Sequence, residues 1–160
     1  MIEISGKNIT LRTMTQKELR ALWRKYTPAP DSVEIEYQYN EADVDLRYEQ
    51  LVEKDEWNPT VGIFTRNDEI VGELTFQRIV FSEKRCELSI MIANGTYRNK
   101  GMGTEAILLA KSYAKEKLGL KKMYAEVPES NEIMQKTLKK CGFQHIKTLP
   151  DGILLFYAML

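Results

Sequence analysis

Apolar and polar positions alternate with two different periods along this chain. Residues 2–12 read as an extended region broken by the Gly6-Lys7-Asn8 turn. Thr15, with Glu18 three residues later, predicts a capping box at a helix start. Leu19, Leu22 and Trp23 then recur at helical spacing. Residues 43–53 predict a second helix, with Val44, Tyr48, Leu51 and Val52 inward. Two strand patterns, 61–65 and 70–80, flank the turn Arg66-Asn67-Asp68-Glu69, and a further strand covers 85–92. The longest helical pattern is 101–117, with Ile107, Leu108, Ala110 and Ala114 inward and Gly119 placed to end it. A strand at 122–127 and a helix at 131–140, stopped by Gly142, follow. The chain closes on a hairpin of 144–149 and 153–160 around Pro150-Asp151-Gly152. Residues 33–39 alternate as a short strand inside a loop. Strands interleaved with helices, without repeat or linker, predict one domain over residues 1–160. Its fold class is α/β (α+β), with a mixed, mostly antiparallel central sheet flanked by helices.

Composition changes this picture mainly by exclusion. The 160 residues hold 23 basic and 23 acidic side chains, so the formal net charge is zero and no bulk nucleic-acid binder is indicated. No apolar run approaches the roughly 20 residues of a membrane span. The first residues lack the basic-then-apolar order of a secretory signal, so a cytoplasmic protein is expected. Cys86 and Cys141 are too few for a metal-binding or disulfide framework, and His145 is the only histidine. No metal is therefore expected, and histidine-paired zinc chemistry is excluded.

The chemistry concentrates in Tyr97-Arg98-Asn99-Lys100-Gly101-Met102-Gly103-Thr104-Glu105-Ala106. A strand pattern precedes it and a helix pattern follows. The first turn of a helix has N–H groups without intrahelical partners, and the helix dipole favours an anion there. Gly101 and Gly103 let a phosphate approach the backbone, and Arg98 and Lys100 add positive charge. The order G-x-x-x-x-G-K-[ST] of a P-loop is missing. A dinucleotide fingerprint ending in Ala106 is permitted by letters, but that fingerprint belongs to the first strand of a βαβ unit, and this turn comes after several strands. Residues 98–122 carry seven basic against two acidic side chains, most of them accounted for by a solvated helix face.

The run Arg98-Asn99-Lys100-Gly101-Met102-Gly103 matches R/Q-x-x-G-x-G/A, the pyrophosphate signature of the GNAT acetyltransferases. Asn131 followed by Cys141-Gly142-Phe143 resembles that family's N-x(10)-G-F segment. Ile70-Val71-Gly72-Glu73-Leu74 resembles its third strand, and Ile9-Thr10-Leu11-Arg12-Thr13-Met14-Thr15 its first. Together these motifs span nearly the whole chain. The Thr104-Glu105-Ala106 continuation is similar to the branch of ribosomal-protein N-terminal and spermidine acetyltransferases.

The resemblance implies a sheet whose fourth and fifth strands splay apart, with acetyl-CoA as co-substrate lying in the gap. Main-chain groups of Ile90, Met91 and Ile92 on the fourth strand would hold the pantetheine arm as an added strand. Arg98, Asn99, Lys100, Gly101, Met102, Gly103 and Thr104 would bind the pyrophosphate, and Asn131 would touch the arm. The implied reaction moves acetyl to a primary amine, a peptide or protein N-terminus or a small amine, by direct transfer in a ternary complex. Glu87 stands where an acidic residue is common in the branch and is the candidate base or water-positioning group. Its structural alternative is an ion pair beside Arg85. Glu73 and Glu126 are weaker candidates. Many relatives place a general-acid Tyr seven residues after the motif asparagine, and this chain has Leu138 there. That departure keeps two rivals open: a catalytically silent acyl-CoA-binding or sensing domain, and an enzyme using another acyl donor. Cys141 and His145 read as structural.

Residues 26–46 carry Asp31, Glu34, Glu36, Glu41, Asp43 and Asp45 with no Lys or Arg, and Tyr26, Tyr37 and Tyr39 are interleaved. In the family this segment overlies the acceptor. An acidic, aromatic lip suits a cationic amine partner, whereas a solvated loop explains the same residues. A homodimer is compatible with all of this.

Overall fold

The computed structural model describes residues 1–30, 36–53 and 57–160. The first predicted strand region is two antiparallel strands, β1 (Glu3–Ser5) and β2 (Ile9–Arg12), on either side of the Gly6-Lys7-Asn8 turn. Helix α1 (Gln16–Arg24) starts on the predicted capping box, with Thr15 Oγ1 and the Glu18 carboxylate bonding each other's backbone. Asn40 caps α2 (Glu41–Arg47), which runs on into one π-helical turn at Tyr48–Glu53. Then come β3 (Thr60–Thr65), β4 (Ile70–Val80), β5 (Arg85–Ile92), α3 (Met102–Glu116), β6 (Lys122–Pro128), α4 (Glu132–Lys140), β7 (Gln144–Leu149) and β8 (Ile153–Met159).

The described strands form one eight-stranded sheet, ordered β1-β2-β3-β4-β5-β6-β8-β7. Every neighbouring pair is antiparallel except β5–β6, which is parallel and needs α3 as its crossover. Because β1 and β2 arise from one predicted region, the predicted fourth and fifth strands are β5 and β6. They pair only at Arg85↔Lys122, Cys86↔Met123 and Glu87↔Tyr124. Beyond that, β5 stays with β4 as far as Ile92↔Gly72, and β6 stays with β8 as far as Pro128↔Ile153. The sheet therefore opens into a fork after Glu87. Gly72 is required by this packing, since a Cβ there would lie 2.4 Å from the Met91 carbonyl oxygen.

Alternation along the strands sends two sets of side chains to opposite faces. Leu74, Phe76, Cys86, Leu88, Met123 and Phe156 pack under α3 and α4. Phe64, Ile70 and Ala93 meet Leu19 and Leu22 of α1 and Val44 of α2. One inward assignment is corrected. Leu108 is half-exposed, and Ala106 takes the fourth buried position with Ile107, Ala110 and Ala114. At 3.6 residues per turn, Leu108 lies about 200° from Ala106, on the far side of the helix. Small alanines let α3 sit close to the sheet. The predicted 33–39 strand is also corrected where it is described: residues 36–40 form no strand, and 33–35 lie outside the described residues. Side-chain packing holds this segment instead, with the Tyr37 ring against Trp23 and Tyr26.

Candidate active site

At the end of β5 the chain turns through Asn99 and Gly101, both in the left-handed region at φ 59° and 83°. Gly101 then precedes α3 without any side-chain cap, whereas Thr15, Asn40 and Asn131 cap α1, α2 and α4. A Cβ built on Gly101 or Gly103 would meet no atom within 4 Å. Gly101 is explained by its backbone angle. Gly103 is not: it lies in the first turn of α3, and no neighbouring side chain or strand demands it. The open space above it suits something from outside the chain. Lys100 is exposed beside this turn. Arg98 is tied inward, donating from Nη2 to the carbonyls of Ile92 at 3.0 Å and Ala93 at 3.5 Å, and to that of Thr27. It joins the segment after α1 to the head of β5 and leaves its charge at the turn. Met102 packs against the core, and the Thr104 carbonyl accepts from Cys141 Sγ at 3.7 Å. Glu105 fixes the start of α3 to the β1–β2 turn through Asn8 N at 2.8 Å and Nδ2 at 3.1 Å.

Two adjoining cavities occupy the fork. One of about 150 Å³ lies between Leu88–Ile90 of β5 and residues 125–128 of β6, walled by Asn131, Met134 and Leu138 of the α4 segment. The next, about 190 Å³, continues past Ile90, Met91 and Ile92 to Tyr26 and Arg98. They share Ile90, Asn131 and Met134. The structure thus brings Ile90, Met91, Ile92, Arg98 and Asn131 along one channel, and beyond Glu87 the β6 side of β5 has no strand partner. Asn131 Oδ1 accepts from Met134 N at 3.2 Å, so its carbonyl is the α4 cap and its amide Nδ2 is the end suited to a ligand. Leu138 is buried in the channel wall and carries no proton to give.

Glu87 is the last paired residue before the fork and is 8% exposed. Its Oε1 accepts from Gln77 Nε2 at 2.9 Å and its Oε2 from Arg78 Nη1 at 2.8 Å. The same Nη1 reaches Glu126 Oε1 at 3.3 Å. Glu87 is thus ion-paired, through Arg78, while its strand neighbour Arg85 pairs with Glu83. A cavity of about 270 Å³ adjoins this group, lined by Arg78, Cys86, Glu87, Tyr124 and Glu126 among others. Glu126 borders both this cavity and the fork. The charges of Glu87 and then Glu126 hold the Arg78 guanidinium above its ordinary range. Burial pushes the Cys86 thiol up to about 12, so it is no thiolate nucleophile near neutrality. Burial likewise raises Cys141, against a smaller opposing effect of Lys111. His145 sits exposed on the outermost strand.

Glu73 lies on the same sheet face under α1 and α2, buried and ion-paired with Arg47. Its Oε2, together with Trp23 Nε1, Tyr39 Oη and Arg47 Nε, is buried without a hydrogen-bond partner. Arg47 stands 5.1 Å over the Trp23 ring. Trp23, Tyr26 and Tyr37 cluster with ring centroids 4.8–5.4 Å apart, and Tyr26 borders the channel. The acidic segment is less bare than its sequence: Glu41 pairs with Arg24 at 2.8 Å and Asp45 with Arg20 at 2.7 Å. Glu36 is exposed, and Asp31 and Glu34 lie outside the described residues. Among the described residues no cluster of His, Cys, Asp and Glu could hold a metal, and no helix is long and apolar enough to cross a membrane.

Comparison with known proteins agrees with this architecture. A spermidine N-acetyltransferase from Vibrio cholerae, solved with CoA and spermine, superposes with a TM-score of 0.78 at 18% identity, covering 94% of this chain and 95% of that one. A GNAT-family acetyltransferase from Bacillus anthracis gives 0.81 at 16% identity, covering 99% and 98%. At such identities the likeness establishes the fold. Alpha/beta-tubulin-N-acetyltransferase 9 from Mus musculus is 42% identical over 60 residues, 38% of this chain and 25% of that protein. An N-acetyltransferase 9-like protein from Nematostella vectensis is 29% identical over 100 residues, 60% of this chain and 48% of its own length. The matched regions thus span a quarter to a half of these curated relatives. The family model for the acetyltransferase (GNAT) domain matches residues 8–144, and the chain belongs to that family.

Proposed function

We propose that this chain is an N-acetyltransferase that moves acetyl from acetyl-CoA to a primary amine by direct transfer. The carrying observation is the fork between β5 and β6 placed directly behind the uncapped glycine start of α3. Residues 98–104 offer main-chain N–H groups, a helix dipole and two cations to a pyrophosphate. Arg98 and Lys100 supply the cations, while Asn99, Gly101, Met102, Gly103 and Thr104 supply backbone. Ile90, Met91 and Ile92 offer a strand edge to the pantetheine arm, and Asn131 adds its amide. That a protein of the same fold is solved with CoA and spermine supports pairing such a cleft with an amine site.

Acetyl-CoA supplies an activated acyl carbon. Glu87 takes a proton from the acceptor's ammonium, directly or through one water. The uncharged nitrogen then bonds to the acyl carbon as the C–S bond breaks. Overall the nitrogen gives up two protons: one passes through Glu87 to solvent and one ends on the CoA sulfur. Leu138 cannot deliver the second, so water or the protonated Glu87 does. An α-amino acceptor, near pKa 7.7–8.0, is about 2.5 units easier to deprotonate than a lysine-type amine near 10.4, which suits a site without a second acid.

The test is CoA release from acetyl-CoA across peptide N-termini, polyamines, aminoglycosides and amino acids. Turnover on at least one class is expected. Tight acetyl-CoA binding with no turnover on any amine would favour a sensing domain, and turnover only with another acyl-CoA would reassign the donor.

A further inference from the structure

Glu87 already accepts one hydrogen bond on each oxygen, from Gln77 and from Arg78, so an arriving ammonium does not meet a bare carboxylate. Gln77 is neutral and can stay. Arg78 is the obstacle, since its positive charge sits on the oxygen a substrate ammonium would approach. We propose that Arg78 is an internal stand-in for the acceptor's ammonium: it closes the Glu87–Glu126 pair when no amine is bound, yields to the amine, and returns when the amine has become an amide. This rests on the acetyl-transfer reading of the site.

Three observations carry it. Arg78 bridges Glu87, the last residue of β5 paired with β6, and Glu126, which lines the fork. Its Nη1 touches Glu87 at 2.8 Å and Glu126 at 3.3 Å, and Glu126 borders both the fork and the adjoining cavity. An amine entering that adjoining cavity meets this guanidinium in its lining.

Arg78 is also more loosely held than Arg12 or Arg20. Arg12 uses two nitrogens on Glu18 and lies 3.5 Å over the Phe64 ring; Arg20 grips Asp45 with Nε and Nη2. Arg78 serves two carboxylates from one nitrogen, and its side chain is 67% exposed. The arginine end is open to water and salt, which weakens single-nitrogen pairs, while the Glu87 end is buried. A β-bulge between Gln77 and Val80 sets Arg78 out of the regular ladder, so moving its side chain disturbs no strand pairing.

The third observation is charge. Two carboxylates face one guanidinium. An arriving ammonium can replace that cation one for one, whereas a neutral amide cannot compete with it. Arg78 therefore raises the amine concentration needed for turnover, filters out uncharged mimics and helps expel product. It is a specificity-determining residue, acting through Glu87 and Glu126 rather than on the reacting atoms.

The experiment compares wild type, Arg78→Met and Arg78→Lys. Methionine keeps an unbranched apolar stem, and lysine keeps the charge. Spermidine is titrated calorimetrically in the presence of CoA, so that no turnover occurs, and acetyl-CoA is titrated separately. Arg78→Met should bind spermidine about three- to tenfold tighter, the range expected for removing weak competing pairs. Its KM for spermidine should fall by the same factor without a rise in kcat. Arg78→Lys should stay near wild type, and acetyl-CoA affinity should be equal in all three. Equal or weaker spermidine binding by Arg78→Met would overturn the proposal and make Arg78 a group that shapes Glu87. If neither wild type nor Arg78→Met binds spermidine while acetyl-CoA binds normally, the proposal is overturned for a polyamine acceptor. If acetyl-CoA fails to bind, it is the cofactor reading that fails.

Discussion

The two sides of the candidate site are built from different material. The proposed cofactor side is main chain: a strand edge released by the fork, two left-handed residues and a helix start with no side-chain cap. The acceptor side is a set of charged and aromatic side chains brought from α1, α2, β4, β5 and β6, and balanced by ion pairs. Backbone features recur wherever the same turn recurs, so one cofactor can be bound by many sequences. A side-chain constellation can be changed residue by residue, which suits the half that must discriminate among amines. Substitutions on the two sides should accordingly fail in different ways.

The largest effect is expected on the acceptor side. Glu87→Gln keeps the shape and the bond from Gln77 but removes the basicity. Its kcat should fall roughly 10²–10⁴-fold, with acetyl-CoA affinity unchanged. The deficit should shrink as pH rises toward the acceptor's own pKa, because more neutral amine then arrives unaided. Undiminished activity would remove Glu87 from the mechanism and turn attention to Glu126 and Glu73.

A smaller effect sharpens the cofactor side, where Asn131 both caps α4 and borders the channel. Asn131→Ala should cost about 1 kcal/mol of stability through the lost cap. Asn131→Asp keeps the cap, so its melting temperature should hold. Its acetyl-CoA affinity should still drop by a loss of roughly 0.5–1.5 kcal/mol, one polar contact. Wild-type affinity in the Asp variant would assign Asn131 to the cap alone.

The smallest effect compares the halves directly. Bonding to Arg12 lowers the pKa of Glu18, and bonding to Arg20 lowers that of Asp45. Each stabilises the fold above its ordinary value, near pH 4, and loses that contribution as pH falls through its lowered folded value. Hydrogen exchange at pH 3 against pH 5 should therefore show α1 and α2 losing protection before β5 and α3. Uniform loss would mean these ion pairs do not hold the acceptor side separately.

This division also explains what the sequence disclosed. The turn at 98–104, the Thr15 box, the strand at Arg85–Ile92 and the final hairpin rest on local signals, and all can be read from a few adjacent letters. Leu108 was misplaced because its apolarity says nothing about its angle around the helix once alanines fill the buried stripe. Gln77 and Arg78 left no mark, since 70–80 reads as one continuous strand and the bulge that sets Arg78 aside comes from pairing with β5. The acidic stretch at 26–46 looked unbalanced because Arg20 and Arg24, which neutralise part of it, belong to the preceding helix. In the sequence only resemblance to a family position points to Glu87; its burial and its partner Arg78 come from the sheet.

The central claim is that residues 98–104 receive the pyrophosphate of acetyl-CoA, and Gly103→Val tests it most directly. Gly101→Val is a poorer probe, because φ of 83° strains any side chain there. At Gly103 nothing lies within 4 Å of a new Cβ, and valine is no worse a helix former than glycine. The melting temperature should thus be unchanged. Acetyl-CoA affinity by calorimetry should fall by at least about tenfold, the equivalent of roughly 1.4 kcal/mol, because the side chain occupies the phosphate's approach. Unchanged affinity in a folded Gly103→Val protein would contradict the account and leave the glycine turn as an ordinary helix start.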